Sequence, residues 1–350
     1  MSWVDCRRTK LLVTALAIGM LLACAALVTS CRPRDGPGTQ ARVILDPERI
    51  PHQESGERIY RDVEIFWSDT LDVGIGEPSA IRLLPDTTIL VGDGGYQTIS
   101  HYDRSGSLLR RFGAPGPGPG EFEDLRAVVP LSGARFAGVD AFARASVFGA
   151  DGLATSRSLG SPSAFVAPLG DGFVTMSPLS APVFRVFNDT LAQAASFGEP
   201  LFPVERGLFG TGAIVDGSSA SGAATISVTM YSGIIVAYHG DGTPKWSART
   251  IDPPRLSELR MDDTGLDGAS VTQSIIPLNG DSSRFYVLTI VRAAPELDFS
   301  VDVYDVEDGS YLYTMRHPSR ECAYRDIRGD LGVQVCGDMR LIVQQFRVTA

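Results

Sequence analysis

Short apolar runs separated by turn residues recur along most of the chain. The clearest unit spans Ile81–Gly113, where an apolar run leads through a Pro-Asp turn to a second run ending at Gly92-Asp93, a third run ending at Tyr102, and a fourth run. The stretch that follows repeats this order. Runs of this length, rich in Val, Ile, Phe and Tyr and bounded by Gly, Pro, Asn and Asp, are typical of β-strands. The pattern therefore predicts an all-β chain of four-stranded antiparallel units.

An aromatic residue closes the third strand of each predicted unit. The first five precede Asp/Gly or Asn/Asp turns, which suit hairpins because Gly, Asn and Asp tolerate positive φ. Successive aromatics lie 39 to 66 residues apart, close to the length of one propeller blade. The six residues are Tyr102, Phe148, Phe187, Tyr238, Tyr304 and Phe346. They predict a six-bladed β-propeller.

The sixth unit lacks room for its own fourth strand, because only four residues follow Phe346. We expect the strand-like segment Tyr60–Trp67 to supply it. Such an exchange ties the two ends of a ring together and covers edge strands that would otherwise favour aggregation. The predicted propeller covers residues 59–350, with its ring closed by an N-terminal strand.

Two segments resemble NHL-type six-bladed β-propellers. Phe112–Phe122 (FGAPGPGPGEF) resembles their inter-blade G-x-G-P-G-E-F signature, and Asp93–Asp103 (DGGYQTISHYD) resembles their D-x-x-N-x-R-I-x-x-F-D turn and strand. The sequence departs from the family at Leu125-Arg126, where a proline usually follows the Phe, and at Gln97, where Arg or Asn is usual. The resemblance therefore implies the fold and leaves the family's ligand chemistry in doubt.

The N-terminus has the order of an export signal. Arg7, Arg8 and Lys10 precede an uncharged apolar run, Leu11–Val28. The next residues complete LVTSC at positions 27–31, which resembles the lipobox of bacterial lipoproteins. This resemblance implies that residues 1–30 are a signal peptide and that Cys31 is the lipid attachment site and the first mature residue. Several acyl chains make a stable membrane anchor.

Two alternatives to this signal stay open. The 18 apolar residues reach the lower limit for a transmembrane helix, and Cys24 follows a weaker second lipobox. By resemblance to Gram-negative sorting, Arg32 in place of Asp implies the outer membrane, facing the periplasm or the cell surface.

Residues 31–58 have few large apolar side chains, and those side chains follow no regular spacing. We expect them to form a flexible tether that holds the propeller on the order of 30 Å from the membrane.

The net charge limits the possible partners, and the cysteine positions indicate a possible pairing. The formal net charge is −10, and removal of residues 1–30 takes away three basic residues and one acidic residue, giving −12. We therefore expect no nucleic-acid partner, since phosphate binding needs a basic face. Cys322 and Cys336 flank Gly329-Asp330, and a hairpin turning there would place them side by side. Either they form a disulfide, which typically contributes about 2–4 kcal/mol, or they are two buried thiols.

Familiar catalytic and metal-binding motifs are absent from the sequence, so we predict no catalytic residue, metal or cofactor. The Gly-Pro run 115–120 is expected to be a stiff crossing between blades, because alternate prolines remove the N–H groups that a phosphate loop needs. Asp93 and Asp140 both end a second strand and are expected to cap turns. The remaining candidates are expected to be structural or solvated: His52, His101, His239, His317, and the acidic group Asp262, Asp263 and Asp267.

Two classes of function fit these features. The first is a binding module at the cell envelope that presents its central funnel or loops to a protein, peptide or glycan. The second is a metal-dependent lactonase-like hydrolase or lyase, which six-bladed propellers include, with its site in the central funnel. The enzyme would need several Asp, Glu, Asn or His side chains to converge from the innermost strands. The missing motifs favour the binding module.

Overall fold

A computed structural model describes residues 45–349, apart from residues 55, 72–73, 142, 161–164, 178–179, 204–209, 211, 254–260, 263–264, 267–272, 279, 294–295, 317–321 and 338. The predicted signal peptide and Cys31 lie outside the described residues. Among the residues that are described, no helix is long and apolar enough to cross a membrane.

The described chain forms six antiparallel sheets of four strands, which are the blades of a propeller, as predicted. A 3₁₀ turn, Pro47–Arg49, and two strands, β1 (Tyr60–Arg61) and β2 (Val63–Leu71), precede the first blade. Blade 1 comprises β3 (Pro78–Leu83), β4 (Ile89–Asp93), β5 (Thr98–Tyr102) and β6 (Leu108–Phe112). Blade 2 comprises β7 (Leu125–Leu131), β8 (Arg135–Asp140), β9 (Arg144–Gly149) and β10 (Gly152–Ser158). Blade 3 comprises β11 (Phe165–Leu169), β12 (Gly172–Met176), β13 (Phe184–Phe187) and β14 (Gln193–Phe197).

The second half of the ring follows the same order. Blade 4 comprises β15 (Gly212–Asp216), β16 (Ala224–Thr229), β17 (Ile234–His239) and β18 (Pro244–Arg249). A short hairpin follows, made of β19 (Met261–Asp262) and β20 (Gly265–Leu266). Blade 5 comprises β21 (Gln273–Leu278), β22 (Arg284–Ala293), β23 (Glu296–Asp305) and β24 (Tyr311–Arg316). Blade 6 comprises β25 (Cys322–Arg328), β26 (Leu331–Cys336), β27 (Leu341–Val348) and, as its fourth strand, β2.

The core lies between successive blades. Each sheet packs both faces against neighbours, so its middle strands are largely buried; β4 and β12, for example, are buried along their whole length. The outermost strands face solvent and carry polar residues, as in β6 and β10. One hydrophobic cluster fills each of the six gaps between neighbouring blades. The six aromatics predicted to close the third strands do so, and all six are buried.

The N-terminal strand closes the ring, as predicted. β2 pairs antiparallel with β27, from Val63 opposite Val348 to Leu71 opposite Leu341. The closing strand begins three residues later than expected, because β1 joins a different blade. Tyr60 and Arg61 pair in parallel with β24 and add a fifth strand to blade 5.

Cys322 and Cys336 lie opposite each other on β25 and β26 and form a disulfide. The hairpin that joins these strands turns at Gly329-Asp330, as the spacing predicted. The alternative of two reduced thiols is therefore excluded in this structure.

Part of the predicted tether packs against the propeller. Residues 45–61, here called the strap, lie along blades 4 and 5. Ile50 is buried in the cluster between blades 3 and 4, and Gln53 donates to the carbonyl oxygens of Arg249 (2.6 Å) and Gly309 (3.1 Å). A flexible tether over residues 31–58 is therefore corrected from residue 45 onward. Polar side chains hold this segment by hydrogen bonds, so its low apolar content gave no sign of packing.

The Gly-Pro run forms a compact crossing between blades 1 and 2. The Arg144 guanidinium donates to the carbonyl oxygens of Gly116 (3.1 Å) and Glu121 (2.7 Å), and the Glu121 carboxylate accepts from the N–H of Gly118 (2.8 Å). Phe122 at its end is buried. Gly113, with φ +79°, leaves room for the Phe122 ring, which a Cβ would approach to 2.6 Å. The G-P-G-E-F segment therefore locks two blades together.

Candidate functional site

Each blade presents a row of four side chains to the next blade, one from each strand. The rows lie near the face that carries the turns between first and second strands, here called the first-turn face. In blade 1 the cross-strand partners are Arg82, Leu90, His101 and Arg110. The equivalent rows are Val129, Ala137, Val147 and Thr155 in blade 2; Ala167, Val174, Val186 and Ala195 in blade 3; Val215, Ile226, Ala237 and Trp246 in blade 4; Leu278, Tyr286, Val303 and Tyr313 in blade 5; and Arg328, Leu331, Gln345 and Trp67 in blade 6.

The blade 1 row differs in chemistry from the rows of blades 2 to 5; the blade 6 row, with Arg328 and Gln345, is also partly polar. Blades 2 to 5 present mainly apolar rows, which pack into the clusters between blades. The outermost position of the blade 4 row is Trp246, whose ring stacks on Phe285 of blade 5 at 6.2 Å between centroids. Blade 1 instead presents two arginines and a histidine to blade 2. Charged side chains resist burial, so this gap does not close by apolar packing at the level of the row.

A cavity of about 860 Å³ opens at this place. Leu90 and Phe112 of blade 1 and Phe136 of blade 2 form its apolar floor, and Leu109, 53% exposed, lies at its edge. The turns at residues 84–86, 132–134 and 149–150 surround it. We call this space, between blades 1 and 2, the cleft.

The cleft continues inward to the mouth of the central channel. Residues from the first strands of the other blades, or from the turns directly after them, line this inner part. They are Pro168 and Gly170 of blade 3, Asp216 of blade 4, Gly280 of blade 5, and Asp326 and Arg328 of blade 6. The site therefore combines an inter-blade gap with the central funnel, where sequence reasoning had placed a ligand.

His101 is held by a chain of hydrogen bonds at the cleft wall. Its Nε2 lies 2.7 Å from Thr88 Oγ1, which donates to Asp86 Oδ1 at 2.7 Å. Because threonine has one hydroxyl proton and gives it to the carboxylate, His101 Nε2 must donate to Thr88. Burial alone would raise the pKa of Asp86, but hydrogen bonds from Thr88 hold it below its usual value. Burial lowers the pKa of His101, and Asp86 opposes this shift.

Arg110 is an exposed cation that lines the cleft. Its Nη1 donates to the carbonyl oxygen of Ala150, and its guanidinium lies 4.9 Å from the centroid of the Phe112 ring. It forms no ion pair with any residue that the structure describes. By contrast, Arg135 pairs with Asp189 at 2.7 Å.

The structure places the other sequence candidates away from the cleft. His52 is exposed in the strap, and His239 is exposed at the end of β17. His101 was expected to be structural or solvated; it lies on β5, the third strand of blade 1, and lines the cleft. His317, Asp263 and Asp267 lie outside the described residues, as do all side-chain details of Asp262.

Asp93 and Asp140 cap turns, as predicted. The Asp93 carboxylate accepts from the backbone N–H groups of Gly76 (2.7 Å) and Glu77 (3.0 Å), among others. The Asp140 carboxylate accepts from the N–H of Glu123 at 2.7 Å. Both side chains are buried. Each therefore ties its blade to the segment that enters it.

Among the described residues, no three His, Cys, Asp or Glu side chains come close enough to hold a metal ion. Lys245 Nζ lies 2.6 Å from Ser221 Oγ, which resembles a nucleophile and its base. The lysine also pairs with Glu307 at 2.7 Å, however, and Ser221 donates to the same carboxylate at 2.8 Å. An ammonium held by a carboxylate is no base, so this cluster joins blades 4 and 5.

Comparisons with known proteins give the fold alone. No protein-family model matches the chain, and no curated protein matches it. Among solved structures it is similar to a "Putative exported protein" of Bacteroides fragilis, with 13% identity, 83% of this chain and 99% of that chain covered, and a TM-score of 0.57. It is also similar to a member of the DUF4221 family from Bacteroides vulgatus, with 11% identity, 83% and 99% covered, and a TM-score of 0.56.

A third similar structure is virginiamycin B lyase from Staphylococcus aureus, which is a propeller enzyme. Its identity to this chain is 8%, the alignment covers 81% of this chain and 99% of that chain, and the TM-score is 0.51. Identities this low do not transfer an activity or a ligand. The chain is a six-bladed β-propeller, and this fold is what it shares with these proteins.

Proposed function

We propose that this chain is an envelope lipoprotein whose propeller binds a protein, peptide or glycan ligand in the cleft between blades 1 and 2. The observation that carries the proposal is the row Arg82, Leu90, His101 and Arg110, which has two arginines and a histidine where the rows of blades 2 to 5 are mainly apolar. A cavity of about 860 Å³ lies beside it. This volume falls within the range of about 300–1,000 Å³ that is usual for ligand sites.

The composition of the cleft supports binding over catalysis. An apolar floor with a few oriented polar groups is typical of ligand sites, since the floor contributes affinity and the polar groups fix orientation. Thr88 gives its proton to Asp86, and His101 donates to Thr88. The hydroxyl therefore has no free base that would make it a nucleophile.

Photocrosslinking in the intact envelope tests the binding proposal. A benzophenone amino acid replaces Ala134, an exposed alanine in the blade 2 turn that lines the cleft. The matched control replaces Ala220, an exposed alanine in the corresponding turn of blade 4. We expect a discrete adduct at position 134 that is lost when Phe136→Arg fills the cleft, and no such adduct at position 220. Equal crosslinking at both positions, or an adduct that survives Phe136→Arg, contradicts binding in the cleft.

The membrane anchor is a separate part of this proposal. The lipobox-like sequence ending at Cys31 supports lipidation there, and Arg32 supports sorting to the outer membrane. Metabolic labelling with a clickable fatty acid tests it. Label should enter the wild-type protein and the Cys24→Ser variant but not Cys31→Ser, and it should fractionate with outer membranes. Label that persists in Cys31→Ser would show that the anchor lies elsewhere.

A further inference from the structure

We infer that the ligand of the cleft is an organic anion with an apolar body, and that Arg110 binds its acidic group. This inference rests on the proposed ligand-binding function and adds the chemistry of the ligand. It depends on the position of Arg110 in the propeller, on the contacts of its guanidinium, and on the apolar surface beside it.

The position of Arg110 is occupied in blades 4, 5 and 6 by an aromatic residue that packs in a cluster between blades. Its equivalents are Thr155, Ala195, Trp246, Tyr313 and Trp67. Trp246 stacks on Phe285 of the following blade, and the ring of Trp67 lies 4.2 Å from the guanidinium of Arg104 in blade 1. In blade 1 the same position carries a cation, which donates to the Ala150 carbonyl oxygen of blade 2 and lines the cleft.

The guanidinium of Arg110 retains donors for a ligand. Arginine has five N–H donors in a planar fork that matches a carboxylate in two-point contact. The described partners of Arg110 are one backbone carbonyl, that of Ala150, and the face of the Phe112 ring. Its side chain is exposed. An anion entering the cleft therefore meets a cation that no described carboxylate neutralises.

The carboxylates that line the cleft are held within the protein. Asp86 accepts from Thr88. Asp326 accepts from the backbone N–H groups of Leu83 (2.7 Å) and Ile327 (3.1 Å), and Asp216 accepts from the N–H of Ser218 (2.9 Å). These bonds hold the carboxylates toward backbone N–H groups and Thr88, whereas the Arg110 side chain is exposed and forms no ion pair with a described residue. Arg110 is therefore the group of the cleft to which we assign an acidic ligand.

An apolar surface beside Arg110 would contact the apolar body of the ligand. Phe112 and Phe136 meet edge to face with 4.8 Å between ring centroids, and Leu109 is exposed at the edge of the cleft. An acid attached to an aromatic or branched aliphatic group would place its charge at Arg110 and its body on these rings. This combination excludes a simple inorganic anion, which would leave the apolar surface uncovered.

Photolabelling of the full-length protein with a matched pair of probes tests the inference. The probes are 4-benzoylbenzoate, an apolar anion, and 4-benzoylbenzamide, its uncharged counterpart, and labelled segments are mapped by mass spectrometry. We expect the acid to label residues 83–90, 109–112 and 130–136 in preference to the rest of the protein. Arg110→Gln should lower this labelling about tenfold, because a charge-assisted contact is lost. Labelling by the amide should not change.

Two further variants make the result specific to Arg110. Arg110→Lys keeps the charge and should retain most of the labelling by the acid. Arg111→Gln removes the neighbouring arginine, which is exposed on the opposite face of β6 and donates to Ser100 Oγ, and it should have no effect. Equal loss in Arg110→Gln and Arg111→Gln would overturn the assignment to Arg110.

Different results would contradict ligand binding in the cleft and the requirement for an acidic group. If acid and amide label the cleft equally and Arg110→Gln changes neither, the ligand needs no acidic group, and binding in the cleft still stands. If neither probe enriches the cleft segments over the remaining surface, binding in the cleft is overturned, and this inference is overturned with it.

Discussion

At the residue scale, the strap depends on one buried ion pair. Arg58 Nε lies 3.1 Å from Asp302 Oδ1, and the side chains are 11% and 0% exposed. Thr289 and Thr314 also donate to this carboxylate, each at 2.7 Å. Burial alone would lower the pKa of Arg58, but Asp302 and Asp252 raise it above its ordinary value. The charge of a segment outside the blades thus balances a carboxylate inside blade 5.

Removing Arg58 should therefore destabilise the whole propeller. Arg58→Met leaves Asp302 as an uncompensated buried charge, which typically costs about 3–5 kcal/mol. The matched control is Arg316→Met, since Arg316 and its partner Asp62 are mostly exposed and 3.8 Å apart; it should cost less than about 1 kcal/mol. Urea unfolding measures both. Equal effects of the two substitutions would contradict the role of the buried pair.

The ion pair between Glu307 and Lys245 should make stability depend on pH in the acid range. The hydrogen bond from Lys245, with those from Ser219 and Ser221, lowers the pKa of Glu307 from 4.5 to about 2. Its stabilising contribution is therefore complete above about pH 4.5 and is lost as the pH falls through about 2. The difference in urea midpoint between wild type and Glu307→Gln should be largest above pH 5 and shrink steadily below 4.5.

A double-mutant cycle with Lys245→Met isolates this interaction from other acidic groups. The coupling between positions 245 and 307 should follow the same pH dependence as the midpoint difference. A coupling that stays constant from pH 6 to pH 2.5 would show that the ion pair does not depend on ionised Glu307.

At the scale of elements, local sequence patterns were enough to predict the blades, but they did not predict the cleft. The hairpin at Gly329-Asp330 and the bonds from the N–H groups of Gly95 and Tyr96 to Asp93 join residues close in sequence, so spacing alone predicted them. The cleft row depends on register across four strands. A one-residue bulge between His101 and Tyr102 places Arg110, and not Leu109, beside His101. Alternation of polar and apolar residues does not reveal such a bulge.

The packing of the strap against the propeller was not predicted, for a different reason. Its buried ion pair joins residues 244 positions apart, and its other contacts are mainly hydrogen bonds and the single buried side chain of Ile50. Neither feature leaves a hydrophobic period in the sequence. A segment held in this way has the composition of a linker, so composition alone predicts a tether.

The disulfide in the first hairpin of blade 6 should stabilise the protein. The disulfide joins β25 to β26 across 14 residues, and a loop of this length corresponds to about 3 kcal/mol of stabilisation. The variant Cys322→Ala/Cys336→Ala should lose about that much in urea unfolding. Reductant should shift the wild-type protein toward the variant and leave the variant unchanged. A wild-type midpoint that does not respond to complete reduction would contradict this role.

At the scale of the whole molecule, the ring is closed by a strand that the chain supplies from its other end. β2 covers the outer edge of β27 and adds Val63, Ile65 and Leu71 to the packing around blade 6. Without it, β27 would present an unpaired edge, which favours association with other chains. The strap adds a second layer of restraint, because it crosses blades 4 and 5 before β2 begins.

A series of N-terminal truncations separates these two restraints. A chain beginning at residue 45 keeps both and should unfold cooperatively as a monomer. A chain beginning at residue 62 loses the strap, leaves Asp302 without Arg58, and should remain a closed monomer that is less stable by at least about 3 kcal/mol. A chain beginning at residue 74 loses β2 as well, and it should aggregate or unfold without a cooperative transition. Size-exclusion chromatography and urea unfolding measure all three, and a monomeric, cooperative third chain would show that β2 does not hold the ring together.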